Sequence, residues 1–201
     1  MPGFSMAGGP SPGLEATSHF TPDQSTYSNG THIAEVEVDI ETGQVTVTRY
    51  LVMHDCGTVI NPMVVEGQIV GGVIHGVGNA FFERLIYDDQ AQPVSTHFGE
   101  YLLPLATDSP NVEVLHMETP SPLNPLGLKG AGEGGTIAAI AALLSAVENA
   151  LEPFGVTSPE APITPQRIVE LLRRARAGPH ALIVADLLSV KLPALVQCHT
   201  R

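Results

Sequence analysis

The stretch PSPLNPLGLKGAGEGGT, residues 120–136, is the one around which this chain is organised. It holds a single acid, Glu133, between Gly132 and a pair of further glycines, and a long Ala/Ile/Leu segment follows at once. Glycine on both sides of an acid lets the backbone turn sharply and lets another molecule come close. A helix after the loop would point its first N–H groups back at it. From this pattern alone, Glu133 is a general base, a ligand or only a turn residue.

Upstream of the loop, two segments of alternating apolar and polar residues predict a β-hairpin. Residues 32–40 and 44–52 alternate, and the tripeptide ETG between them supplies the turn. The outward carboxylates of the first strand are interpreted as a solvated face. The second strand ends in His54-Asp55-Cys56, which looks like a set of metal ligands. Since neighbouring strand residues point to opposite faces, we predict no metal site there.

A glycine-rich helix is predicted from the N-cap Asn61 and Pro62 to about residue 87. Each glycine costs a helix roughly 0.8–1 kcal/mol relative to alanine, so a series of them needs a tertiary reason. Their spacing by four leaves a smooth helix face for another backbone or a flat cofactor. Gln68 lies beside that face, and its amide suits either a cofactor edge or a hydrogen bond to a packed loop. The residues alone leave both interpretations open.

The remaining pattern completes an α+β fold class. Helices are predicted over 136–151 and from Thr164 to Gly178, the first of them buried because it is apolar nearly all round. No regular βαβ repeat appears, which favours α+β. Strands are predicted at 14–20, 94–105 and 111–117, with one more short helix after residue 178.

Composition excludes several classes of protein. The net charge of −12 argues against a nucleic-acid surface, which needs clustered Lys and Arg. The two cysteines are too few and too far apart for a disulfide framework, a zinc site or an iron–sulfur site. A reducing, cytoplasmic location is therefore expected. The sequence shows no signal peptide, and its apolar stretches are too short or too interrupted to span a bilayer.

Taken together, four motifs resemble the C-terminal part of the molybdopterin-binding large subunit of the molybdenum hydroxylases. That family includes xanthine dehydrogenase, aldehyde oxidase and the carbon monoxide dehydrogenase large chain. The resemblance covers residues 13–176, and its four motifs occur in the family order. They are THIAEVEVDIETGQV at 31–45, HDCGTVINP at 54–62, EGQIVGGVIHGVG at 66–78 and LNPLGLKGAGEGGT at 123–136.

The resemblance implies roles for individual residues. Glu133 matches the family's general base, which takes a proton from the hydroxide on molybdenum so that the oxygen can attack an electron-poor C–H carbon. A carboxylate in a closed, poorly hydrated pocket is suited to that task. Gln68 matches the glutamine that contacts the pterin, with Gly67, Ile69 and Gly132 as expected neighbours. Lys129 matches the loop lysine and is expected to orient the loop.

The resemblance also implies cofactors and partners. The expected cofactor is molybdopterin carrying molybdenum, in the cytosine dinucleotide form, with 2Fe-2S clusters and FAD on partner chains. The fold would be part of the second of two interlocked α+β domains, with residues 1–13 a disordered lead, 14–177 the domain portion and 178–201 a tail of unknown role. The substrate, an aldehyde, an N-heteroaromatic or another small molecule, is not readable from this stretch.

This chain departs from the family in length. The F-G-G loop and the other segments that complete the molybdenum pocket are absent from it, so we expect it to be a piece of a split large subunit or a truncated product, inactive alone. Two interpretations follow. The chain is part of an enzyme that needs the rest of the large subunit, or it is a non-catalytic remnant or interaction module with the same fold. The presence of Gln68, Lys129 and Glu133 together favours the first.

Overall fold

A computed structural model of the protein describes residues 17–19, 21, 24–157, 160–176 and the backbone of 190–194. The predicted lead at 1–13 lies outside the described residues, and so does the predicted tail apart from 190–194. The predicted strand at 14–20 also lies outside them except for 17–19, which have no regular structure.

The predicted hairpin is confirmed. Strand β1 runs over Asn29–Val38 and strand β2 over Val45–Asp55, paired antiparallel with an irregularity after Glu35. The turn between them closes as the ETG tripeptide predicts. Gly43 has a φ of +76°, and the Asp39 carboxylate accepts hydrogen bonds from the N–H groups of Glu41 and Thr42. The alternating apolar residues of β1 face the core, which is why the hairpin is buried on one side.

A four-stranded sheet grows from this hairpin in the order β3-β2-β1-β4. Strand β3, Val112–His116, confirms the strand predicted at 111–117 and lies parallel to β2. Strand β4, Val190–Ala194, pairs antiparallel with β1, where the sequence suggested a short helix instead. The parallel pair needs a long crossover, and helix α1 lies within that connection. One parallel crossover in an otherwise antiparallel sheet fits the predicted α+β class.

Helix α1, Pro62–Phe81, begins where the sequence predicts. The Asn61 side chain accepts a hydrogen bond from the N–H of Val64, and Pro62 occupies the first turn. Its predicted end at residue 87 is wrong. The N–H groups of Phe82 and Glu83 both donate to the carbonyl of Gly78, which closes the last turn and directs the chain away from the helix.

Helix α2, Ala139–Leu151, is the buried helix that the apolar segment predicts, although it begins three residues later than expected. It packs against α1 and against the sheet, and its fully buried residues join those of β1 and β2 in one core. A short 3₁₀ turn, Glu152–Phe154, follows it. Helix α3, Pro165–Arg176, has Thr164 as its N-cap, as predicted, and buries Ile168 and Leu172.

The strand predicted at 94–105 is absent. Between α1 and β3 the chain has turns and irregular structure, with one isolated bridge between Tyr87 and Pro93. The large apolar residues of that stretch are exposed instead of buried. They are Val94, Phe98, Leu102, Leu103 and Leu105. Among the described residues, no helix is both long and apolar enough to cross a bilayer.

Candidate functional site

The glutamate loop, residues 130–136, follows the approach segment, residues 120–129. Hydrogen bonds hold this segment against the residues at the end of β2. The Lys129 N–H donates to the carbonyl of Cys56, and the Thr58 N–H donates to the carbonyl of Gly127. The approach also holds its own shape. The Asn124 side-chain amide donates to the Leu128 carbonyl, and its oxygen accepts from the Leu128 N–H, each at 2.8 Å. The loop therefore starts from a fixed point beside the end of β2.

An ion pair strengthens that anchor. The Lys129 ammonium lies 3.3 Å from an Asp55 carboxylate oxygen, with side-chain exposures of 11% and 2%. The same carboxylate accepts hydrogen bonds from the N–H groups of Gly57 and Thr119. Burial alone would raise the pKa of Asp55, but these hydrogen bonds and Lys129 outweigh burial and hold that pKa below its ordinary value. Asp55 is thus a buried anion that ties β2 to the approach segment.

Glycines bring the loop into backbone contact with α1. A Cβ at Gly72 would lie 2.8 Å from the backbone of Gly135 and Thr136, and a Cβ at Gly135 would lie 2.1 Å from the carbonyl oxygen of Ile69. Further along the helix, a Cβ at Gly76 would meet the Ala139 side chain at 2.3 Å. The smooth helix face predicted from glycine spacing is therefore divided. Gly72 and Gly76 pack against the loop and the start of α2.

The other two glycines of that face remain open. A Cβ at Gly67 or at Gly71 would meet nothing within 4 Å, and both residues are exposed. Gln68 is exposed between them, and a Cβ on Gly132 would lie 4.0 Å from its side-chain nitrogen. The structure thus brings Gln68 to the glutamate loop across 64 residues of sequence. Ile69, in contrast, is fully buried and turned into the core.

Beneath the loop lie two buried histidines. His32 of β1 and His54 of β2 are each 1% exposed. The ring of His54 fills the space below Gly134, where a Cβ would come within 2.3 Å of it. His32 bridges two partners, since its Nδ1 lies 2.9 Å from the Tyr50 hydroxyl and its Nε2 lies 3.0 Å from the Gly134 carbonyl oxygen.

Burial controls the charge of both histidines. It lowers the pKa of His32, and the hydrogen bond to Gly134 offsets only part of this effect. The pKa of His54 is lowered by burial and by His116, against a smaller opposing effect of Asp55. Both rings are therefore neutral near pH 7. The Nε2 of His54 is buried without a hydrogen-bond partner among the described residues.

A cavity of about 290 Å³ opens between the loop and the start of β1. Glu133, Gly132 and the two histidines contribute to its lining, and Asn29 closes one side. The Glu133 side chain is exposed in this cavity. The closed, poorly hydrated pocket expected from the resemblance is therefore not formed by the described residues alone. The Glu133 carbonyl accepts hydrogen bonds from the N–H groups of Thr136 and Ile137, which gives the loop a helix-like turn before α2.

Sequence reasoning missed His32 and Tyr50. A usable signal was present, because the alternation of β1 places His32 on the same face as the apolar residues of the strand. A histidine on a buried face needs a hydrogen-bond partner, and Tyr50 on the neighbouring strand is one. Within the part of the chain that the structure describes, no group of three or more His, Cys, Asp or Glu residues could hold a metal ion.

Comparison with known proteins places these features in a family. A family model described as a molybdopterin cofactor-binding domain matches residues 5–110. The nicotine 6-hydroxylase large subunit of Paenarthrobacter nicotinovorans is 46% identical over 158 residues, which are 79% of this chain and 19% of that protein. The chain therefore spans about a fifth of the length of this relative.

Solved structures agree. Quinoline 2-oxidoreductase from Pseudomonas putida 86 is 46% identical, with a TM-score of 0.71 over 73% of this chain and 19% of that one. A Cu,Mo-containing carbon monoxide dehydrogenase in its carbon monoxide-reduced state is 31% identical. Its TM-score is 0.77, over 82% of this chain and 21% of that one.

Proposed function

The chain belongs to the family of the molybdopterin-binding large subunits of molybdenum hydroxylases, and we propose that it supplies such an enzyme with its general base. The base in this proposal is Glu133. The observation that carries the proposal is the arrangement of Gln68, Gly132 and Glu133, which are exposed next to one another on α1 and on a loop held against it. Such an arrangement can receive a flat, polar molecule on one side and a reacting carbon on the other.

The residues present fit a molybdopterin. Gly67 and Gly71 leave open space on the outer face of α1, so a planar ring system could lie against the helix backbone beside Gln68. The Gln68 amide can both donate to and accept from a pterin edge. Gly67, Gln68 and Gly132 would hold the group, with the backbone near Ile69 as a neighbour. We propose the cytosine dinucleotide form of the cofactor.

When bound, the molybdenum group would supply oxidation of an electron-poor C–H carbon with oxygen from water. The chain's own residues would do the rest. Glu133 would accept a proton at a carboxylate oxygen, as a general base within hydrogen-bond reach of its donor. The backbone N–H groups of Thr136 and Ile137 bind the Glu133 carbonyl, so the residue carrying the carboxylate is fixed at its main chain. Lys129 acts at a distance from the chemistry, by holding the approach segment to Asp55.

The proposal requires other protein segments. Because Glu133 is exposed, the water-excluding part of the pocket would come from the remaining large-subunit segments, and electrons would leave through iron–sulfur and FAD subunits. We propose a cytoplasmic location, which suits a buried free thiol such as Cys56. The 201-residue chain alone, supplied with cofactor, should therefore show no hydroxylase activity. Turnover by the isolated chain would contradict this proposal.

A non-catalytic role is the second candidate, because the long connection between α1 and β3 exposes large apolar residues. Phe98 is 78% exposed and Leu105 is 68% exposed, and a patch formed by several such residues would suit an interaction surface. An interaction module would use this surface and leave Glu133 unused.

One experiment separates the two. The tagged chain would be purified from its native host and the molybdenum content of the purified material measured. Recovery of molybdenum together with a larger chain and with iron–sulfur and flavin subunits is the expected result. Recovery of the chain alone and free of metal would reject the catalytic role.

A further inference from the structure

A hydrogen bond from His32 reaches the backbone next to Glu133, the proposed general base. Gly134 is the residue directly after Glu133, and its carbonyl oxygen lies 3.0 Å from the Nε2 of His32. The bond spans 102 residues of sequence and joins the buried face of β1 to the loop. It is a direct link between the sheet and the backbone that carries the Glu133 side chain.

The chemistry of the two partners selects one tautomer of the ring. A carbonyl oxygen can only accept, so the His32 Nε2 must carry the hydrogen. In a neutral imidazole the Nδ1 is then an acceptor, and the Tyr50 hydroxyl at 2.9 Å donates to it. Burial raises the pKa of the Tyr50 phenol well above its ordinary value, so this donor keeps its hydrogen. The Gly134 carbonyl therefore selects the tautomer, and Tyr50 supplies the donor that the Nδ1 acceptor of that tautomer needs.

The sheet register explains why these side chains meet. His32 stands opposite Val52 and Ala34 stands opposite Tyr50, so His32 and Tyr50 are diagonal neighbours on one face. Their rings meet edge to face, with centroids 5.8 Å apart and planes at 88°. Tyr50 is fully buried and His32 is 1% exposed.

Contacts on the other sides leave the loop little freedom. His54 lies against Gly134 from below, and the carbonyl of Ile69 lies against Gly135. Those contacts limit how closely the loop approaches the sheet and α1, whereas the His32 bond fixes the direction of the Gly134 peptide. That peptide joins Gly134 to Gly135, one residue after Glu133, so a rotation there would shift the backbone at Glu133 and change where its carboxylate points.

We propose that His32, held in one tautomer by the Gly134 carbonyl and supported at Nδ1 by Tyr50, is a positioning residue for Glu133. It fixes the Gly134 carbonyl and thereby the direction in which the loop presents the carboxylate. The inference rests on the proposed function for its catalytic consequence, but its structural part can be tested in the full chain without cofactor. If His32 and Tyr50 had only a structural role, it would be enough that their buried polar atoms have hydrogen-bond partners, whatever the direction of the loop.

The first test measures the tautomer. Imidazole ¹⁵N spectra of the labelled full chain should show His32 as the neutral form with hydrogen on Nε2. In Tyr50→Phe the Gly134 carbonyl still requires hydrogen on Nε2, so the tautomer should stay the same while the Nδ1 signal shifts on losing its hydrogen-bond donor. Hydrogen on Nδ1 of His32, either in the wild type or in Tyr50→Phe, would overturn the proposal, because Nε2 could then not donate to the Gly134 carbonyl.

The second test uses two amide replacements of one histidine. The amide nitrogen of His32→Gln can take the place of Nε2, whereas that of His32→Asn reaches only the place of Nδ1. Hydrogen exchange of the amides in residues 132–136 should stay near wild type in His32→Gln. It should be about tenfold faster in His32→Asn, the factor expected for one lost hydrogen bond. Equal exchange in the two variants would reject the positioning role.

A stability control accompanies this comparison. Val38→Ala removes buried apolar volume at the far end of β1 and touches no polar group of the loop. It should destabilise the chain while the loop amides keep their exchange rates relative to the other amides of the sheet. Selective acceleration at 132–136 in this variant would mean that general destabilisation explains the His32→Asn result, and the proposal would fail.

The third test uses the assembled complex with quinoline as the probe substrate. His32→Asn should lower kcat by about 10- to 100-fold with KM nearly unchanged, since misplacing a catalytic group costs rate more than binding. His32→Gln should restore most of the rate. If His32→Asn turns over like wild type, the inference fails while the proposed function stands. If the wild-type complex contains no molybdenum, the proposed function fails, and the tautomer and exchange results still decide the structural part.

Discussion

At the scale of single residues, the Asp55–Lys129 pair is distinguished from the other ion pairs by its burial. Its side chains are 2% and 11% exposed, whereas Arg49 and Glu113, which lie 3.1 Å apart, are 57% and 49% exposed. Removing one partner of a buried pair leaves a desolvated charge, while exposed pairs are screened by water. The two pairs therefore serve as a matched comparison within one chain.

Asp55→Asn should lower the free energy of unfolding by about 3 kcal/mol, because it leaves Lys129 without its anion. Arg49→Gln should change it by less than about 1 kcal/mol. Urea denaturation of the two variants beside wild type measures both values. Equal losses in the two variants would contradict the role assigned to the buried pair.

The two buried histidines give the chain a defined pH dependence. The folded-state pKa values of His32 and His54 lie below the ordinary value of 6.5, so the unfolded chain takes up protons first as the pH falls. Stability is then fully present above about pH 6.5 and is lost as the pH falls below it, at about 1.4 kcal/mol per pH unit for each histidine.

This dependence can be measured by urea denaturation between about pH 5 and about pH 7.5. His32→Gln removes one titrating group and should reduce the slope by about half, whereas Arg49→Gln should leave it unchanged. A stability that is flat, or that rises as the pH falls through this window, would show that the histidines are not held neutral.

At the scale of elements, the glycines of α1 differ in their surroundings: some pack against other backbone and others face open space. Gly72 lies against the backbone of the glutamate loop, where a side chain has no space, and Gly71 faces open space. Alanine substitutions at these two neighbouring positions therefore separate the steric cost of an added side chain from the low helix propensity of glycine.

Gly72→Ala should destabilise the chain by about 1–3 kcal/mol, since the added methyl meets backbone atoms that cannot rotate away. Gly71→Ala should stabilise it by about 0.8–1 kcal/mol through helix propensity. Thermal unfolding of the pair measures both changes. Opposite signs are expected, and a stabilised Gly72→Ala would contradict the packing described for this loop.

Local sequence patterns predicted the helices and strands whose periodic apolar residues are buried within this chain. The hairpin, α1, β3, α2 and α3 all appear, and the caps at Asn61 and Thr164 form as their residue types require. The strand predicted at 94–105 failed because its apolar residues are exposed rather than packed on a sheet. The predicted end of α1 was wrong because the helix is ended by hydrogen bonds to the Gly78 carbonyl. Hydrophobic periodicity does not predict such bonds.

The site was predictable only where a motif marked it. Glu133, Gln68 and Gly132 were identified from the sequence, and the structure brings them together. The pairing of Asp55 with Lys129 and of His32 with Gly134 joins residues 74 and 102 positions apart, so it depends on how strands and loops pack. The assigned roles of these residues stay predictions, because geometry alone does not report catalysis.

At the scale of the whole molecule, the proposed function gives the chain one side of a site and gives the other side to further large-subunit segments. It spans about a fifth of the relatives described above, and Glu133, Gln68 and several large apolar residues lie on its surface. Exposed apolar residues in the long connection before β3 are suited to contact with further large-subunit segments. Activity is therefore a property to be measured in the assembled complex.

The most direct measurement of the central claim compares Glu133→Gln with wild type in that complex, with molybdenum content and turnover determined on the same sample. We expect unchanged molybdenum and a loss of turnover of at least about 100-fold, because the amide cannot act as a general base. Glu41→Gln, in the turn between β1 and β2, is the control and should keep full activity. Wild-type turnover by Glu133→Gln at full molybdenum content would contradict the role of Glu133.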